Sequence, residues 1–137
     1  METAWQYLQG LSHGPGATDN AITEAERQLG LKFPAEYVEF LKIANGGEGF
    51  IGKGAYAMLW CIQELASMNR AYEVQKNAPG LLIFGSDGGG EAYGFDTRDP
   101  HWPIVQVPFI GMDWRSAQPL GDTFASFLKH LHDGEYE

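Results

Sequence analysis

One cysteine, Cys61, stands in 137 residues, which excludes an intrachain disulfide and points to a reducing, cytoplasmic compartment. Bases are scarce: nine lysines and arginines face eighteen acids, a net charge of −9. Phosphate backbones and anionic lipids repel such a surface, so nucleic acid and membrane are not expected partners. Long apolar runs are missing too. The longest, Ala55 to Ile62, falls far short of the ~20 residues a spanning helix needs. The opening Met1-Glu2-Thr3 has no positive n-region, so export through a signal peptide is not expected. What is present is a core: a hydrophobic share of 44% with 13% aromatics excludes disorder, and the length suits one domain.

The spacing of Ala4, Trp5, Leu8 and Leu11 predicts an N-terminal helix or arm over residues 1–17, closed by Gly14-Pro15-Gly16. Residues 18–137 read as the domain proper. Thr18, Asp19 or Asn20 caps a helix carrying Ile22, Ala25 and Leu29 and ending at Gly30. A second begins at Pro34 and presents Tyr37, Phe40, Leu41 and Ala44 on one face. The run around Tyr56 to Cys61 predicts a strand buried on both sides, and Gln63 to Asn77 a helix facing inward through Leu65, Met68, Ala71 and Tyr72. Leu81–Phe84 and Glu91–Asp96 form a hairpin signal around the turn 85–90. Ile104–Val107, between prolines, reads as a strand near an edge. A last helix from Asp122 aligns Phe124, Phe127, Leu128 and Leu131. The order does not repeat as βαβ, so the fold class is α+β with a mostly antiparallel sheet.

Catalytic and cofactor motifs fail on context. Gly47 to Gly52 spells G-x-G-x-x-G, yet a helix precedes it and a strand follows, the reverse of what a dinucleotide site needs. A P-loop requires Ser or Thr after Lys53, and Gly54 stands there, so the segment reads as a helix cap running into a flexible turn. Cys61 lies among apolar neighbours that raise a thiol pKa, and Ser86 lacks the glycine of a nucleophile elbow. His130 and His132 sit about 200° apart on a helix and cannot share a metal. The turn Gly85 to Glu91 gathers oxygen ligands without EF-hand spacing, and Glu91 and Asp96 point to opposite sheet faces. No enzyme, metal or cofactor is expected.

The acidity is uneven. Ser86 to the end holds nine acids and three bases, a net of −6, against nine and six, a net of −3, before it. That excess serves solubility or a partner with a basic surface. Three stretches, in order, resemble the SUKH superfamily, which is named after a yeast cell-wall-synthesis regulator and its bacterial relatives. They are Ile22 to Gly47 with Leu29-Gly30, Phe33-Pro34 and Asn45-Gly46-Gly47; Leu82 to Asp96 with Phe84-Gly85 and Asp87 to Glu91; and Pro108-Phe109-Ile110-Gly111 leading to Phe124 and Phe127-Leu128. The resemblance implies an α+β fold and, for bacterial members, an immunity protein that neutralises a toxin, often a nuclease or deaminase, by binding and not by catalysis. Joined to the acidity, it makes Asp87, Glu91, Asp96, Asp99 and Asp113, with Trp102 and Trp114 as apolar anchors, the expected cover for a basic toxin surface. The alternatives are a regulatory scaffold with several partners, as for the yeast relative, and a small-molecule or metal-binding domain.

Overall fold

A computed structural model describes residues 6–52 and 55–134. The Thr18 side chain accepts a hydrogen bond from the Ala21 amide and starts α1 (Asp19–Leu29), which Gly30 ends at φ 68°. Pro34, the predicted first residue, caps α2 (Ala35–Ile43) from just outside, so the helix starts one residue later, and Tyr37, Phe40 and Leu41 are buried on its inner face. Seven strands follow chain order in one sheet, each antiparallel to its neighbour: β1 (Leu11–Ser12), β2 (Gly47–Ile51), β3 (Ala55–Leu59), β4 (Leu81–Ser86), β5 (Glu91–Asp96), β6 (Ile104–Pro108) and β7 (Gln118–Gly121). Between β3 and β4 lie α3 (Leu65–Ala71) and the single turn α4 (Val74–Asn77); α5 (Phe124–Asp133) follows β7. This is an α+β domain, as the order of elements predicts.

The two faces of the sheet are filled differently. On the first, α1, α2 and α5 pack over Phe84, Tyr93, Phe95 and Ile104. Phe84 sits 4.6 Å from Phe95 and 5.5 Å from Phe127, centroid to centroid, and Tyr37 closes on both Phe95 and Phe124. Burying each such ring stabilises the fold by about 1.5–3 kcal/mol. Helix α5 enters through a capping box between Thr123 and Ser126, and its Ala125 amide donates to Glu36 on α2. On the second face, Leu81, Ile83, Ala92, Val105 and Val107 are covered by Val74 and Ala78 and by a returning segment with Met112 and Trp114. That cover stops short of β2 and β3.

Several elements depart from the sequence expectation. In place of a helix, residues 6–8 make a 3-10 turn and Leu11 enters β1, opposite Gly49; Ala4 and Trp5 lie outside the described residues. The glycine-rich stretch from Gly47, expected as a flexible turn, is a strand, because β1 and β3 pair with it from both sides and override glycine's weak strand preference. Strand β3 is buried on one side only, Ala55, Ala57 and Leu59 inward with Tyr56 and Met58 half-exposed. Strand β6 lies near the edge as expected, one strand in from it, and the edge itself is β7, an unexpected strand whose Pro119 hides its signal. The helix expected over 63–77 breaks at Glu73, φ 53°, and buries Leu65, Ala66 and Asn69 in place of Met68, Ala71 and Tyr72.

Asn69 explains that last rotation. Strand β3 leaves β4 after Leu59 pairs with Gly85, so Ile83 has no strand partner on that side. The Asn69 amide takes its place: Nδ2 donates to the Ile83 carbonyl at 2.9 Å and Oδ1 accepts from the Ile83 amide at 2.9 Å. A buried backbone pair left open would be unfavourable, and the side chain closes it.

Candidate functional site

The seven expected contact residues fall into two groups at opposite ends of β5. Asp87 and Glu91 flank the β4–β5 turn; Asp96, Asp99, Trp102, Asp113 and Trp114 lie at or beyond the other end, five residue steps or about 17 Å along the strand. Glu91 and Asp96 occupy opposite faces, as their odd separation requires.

Most of these side chains already have partners within the chain. Asp96 pairs with Arg98 at 2.9 Å, and the Arg98 guanidinium lies 3.5 Å over the Trp114 ring. The Trp114 indole donates to the Pro79 carbonyl at 2.8 Å, so one ring face and its polar edge are in use. Asp113 accepts from the Arg115 side chain and amide, which hold its carboxyl below the usual carboxylate range. Asp99 accepts from the His101 amide and ring, with the same downward effect. Trp102, at φ 52° and followed by Pro103, packs its half-buried ring against Phe95 and Phe33 at the end of the first-face core. Its non-glycine left-handed backbone is strained and is held by that packing.

The β4–β5 turn is built differently. Asp87 Oδ1 accepts from the Gly89 and Glu91 amides, and Ser86 Oγ from the Gly88 amide, so the loop is fixed by its own side chains. Burial, reinforced by the nearby Asp87 charge, raises the Glu91 pKa. Beside this turn the sheet's second face is bare. Phe50 on β2 is 59% exposed, and Met58, Trp60 and Met68 are half-exposed. Tyr72 and Phe109 touch ring to ring at 4.7 Å, and Ile110 is 93% exposed. Two cavities of about 480 Å³ each share Met58, Trp60 and Met68 as lining; one also takes in Glu48 and Glu64, and the other the glycines 88–90. Among the described residues no lysine or arginine lines either one.

Such a surface suits association better than chemistry. Among the described residues no group of three or more His, Cys, Asp or Glu side chains stands together as a metal site. Cys61, His13 and Asn45 line one of the two cavities, but burial and the Glu64 charge push the thiol pKa up, and both Asn45 amide atoms are bound, to Gln63 and the Ile62 amide. A thiol held above its ordinary range is less ionised and so a weaker nucleophile at neutral pH. Among the described residues no helix is long and apolar enough to cross a membrane.

The match to known families comes from residues 16–130, which fit the SMI1 / KNR4 family (SUKH-1). The chain belongs to that family. No curated protein is similar enough to be matched to it. The SUKH-1 match spans α1 through most of α5, and so includes both the acidic turn and the bare sheet face.

Sequence reasoning passed over Phe50, Met58, Met68, Tyr72 and Ile110 as contact residues. For Met58 a signal existed in the alternation of small Ala55 and Ala57 with large Tyr56 and Met58, which marks a strand with one crowded and one open side. For Met68 and Tyr72 none did, because the helix rotation is set by Asn69 reaching β4.

Proposed function

We propose that this SUKH-1 domain is a non-catalytic protein-binding module, an immunity protein that neutralises a cognate toxin of nuclease or deaminase type in the cytoplasm by covering a basic surface and excluding its substrate. Residues 18–137 form the binding domain, and the preceding arm lays β1 along the β2 edge. One observation carries the reading: an uncovered apolar sheet face bordered by the carboxylates Glu48 and Glu64, with Asp87 in the adjoining turn. Apolar anchors supply affinity at such a surface, and the carboxylates speed encounter and reject wrong partners. Asp87 stands in the turn beside this face, and Glu91, at the start of β5 on the Tyr93 side of the sheet, serves the contact from the turn. Asp96 and Asp113, each paired with a neighbouring arginine, and Asp99, bonded to His101, together with Trp102 and Trp114, serve the contact at its far margin.

Affinity capture from native lysate tests it. The expected result is one dominant basic polypeptide whose enzymatic activity is lost in the complex and whose retention falls with salt. Several weak partners would favour a regulatory scaffold. Turnover of a substrate by the purified chain would end the reading.

A further inference from the structure

The triple glycine of the β4–β5 turn is only partly explained by the fold. Gly88 needs its lack of side chain: it sits at φ 82°, and a Cβ there would lie 2.9 Å from the Tyr56 ring. Gly89 and Gly90 do not. Neither has a left-handed backbone; a Cβ on Gly90 would meet no atom within 4 Å, and one on Gly89 would touch only the neighbouring Asp87 side chain. Two positions thus give up backbone rigidity with no packing reason inside the chain. They form the lip of the cavity lined by Met58, Trp60, Met68, Tyr72, Phe109 and Ile110. Three of those side chains, Met58, Trp60 and Met68, also line a second cavity, which Glu48 and Glu64 border. Methionine and tyrosine walls adapt to varied apolar shapes, and a lip without side chains admits a backbone close to the sheet.

We infer that this groove is a docking site for a cationic segment of a partner polypeptide, whose large apolar side chain enters between Met58, Trp60, Met68 and Phe109 while its backbone crosses Gly89 and Gly90. Charge complementarity selects the occupant: Glu48 and Glu64 stand in the adjoining cavity and Asp87 beside the lip, and among the described residues no lysine or arginine lines the groove. A second copy of this chain, at net −9, is disfavoured by the same charge. The inference rests on the protein-binding reading above and names the contact and the chemistry of what fills it.

The test uses the full chain, isotope-labelled, titrated with a synthetic amphipathic peptide of leucine and lysine and with its counterpart in which glutamate replaces lysine. Saturable shifts confined to the Gly88–Gly90 amides and the Trp60 indole are expected with the lysine peptide alone. Gly90→Leu, at a position with open space, should weaken that binding at least about tenfold with unchanged thermal stability. Ile110→Lys, at a 93% exposed site, is the second variant and should weaken it likewise. No saturable binding, shifts centred elsewhere, equal binding of the glutamate peptide, or indifference to both substitutions in folded protein would overturn the groove. A captured toxin whose affinity ignores Gly90→Leu would overturn the groove and leave neutralisation standing. Peptide binding at the lip with no single toxin retained from lysate would do the reverse.

Discussion

The two faces of one sheet follow opposite rules in this protein. The first face is closed by three helices, and its large side chains, Phe84, Phe95 and Phe127 among them, are almost wholly buried. The second is closed over β4 to β6 and open over β2 and β3, where Phe50 and Met58 meet solvent. Both faces carry aromatic and aliphatic residues, so composition does not separate them. What separates them is whether a helix has apolar residues left to cover them. Helix α4 is a single turn and contributes only Val74 to the second face, with Ala78 just beyond it. The face that lacks an internal cover is the one left available to an external one.

The contrast can be broken from the closed side. Phe127→Ala should remove about 3–5 kcal/mol of stability by denaturant unfolding, through lost burial and the cavity left among Phe84, Tyr93 and Phe124. The surviving folded fraction should still present an intact second face. Asn69→Leu comes next: it leaves the Ile83 amide and carbonyl without their partner, at about 1–3 kcal/mol, with faster hydrogen exchange at Ile83 as its specific mark. Thr123→Ala removes the capping box of α5 and should lower stability by ~1 kcal/mol.

On the open side the expectation reverses. Ile110→Ser should change stability by less than ~0.5 kcal/mol while weakening partner retention, because the side chain touches solvent and not core. Equal stability losses at Ile110 and Phe127 would erase the distinction between the faces. The smallest effect belongs to Glu91. Its pKa is raised by burial and by Asp87, so the folded state prefers it protonated. Its contribution to stability is therefore full below the ordinary glutamate pKa and lost as pH rises through the raised value. Glu91→Gln should remove that acid-side increment, seen as a flatter dependence of unfolding midpoint on pH over the mildly acidic range.

Much of the fold was legible because its signals are local. Thr18 with Gly30, the face of Tyr37, Phe40 and Leu41, the hairpin strands, and the stripe of Phe124, Phe127, Leu128 and Leu131 are all read within one element. The helix after β3 was misread because its register is set by Asn69 reaching a backbone fourteen residues away. The candidate site was legible only in part. The turn with Asp87 and Glu91 was visible as a cluster of letters. That Asp96 and Asp113 each meet a neighbouring arginine, that Asp99 bonds His101, and that Trp114 lies under Arg98 depends on loop geometry that charge counts do not carry.

By itself, then, the sequence determined the class of the fold, the caps of α1, the inner faces of α1, α2 and α5, and the negative sign of the surface, since periodicity, capping and charge are properties of neighbouring residues. Tertiary structure alone decided that Gly47–Ile51 is a strand, that Met68 and Tyr72 face outward, and that the cavity of Glu48 and Glu64 and the cavity of the glycine lip share Met58, Trp60 and Met68. Those outcomes depend on pairing and packing between segments far apart in the chain, and such contacts are chosen by the whole fold at once.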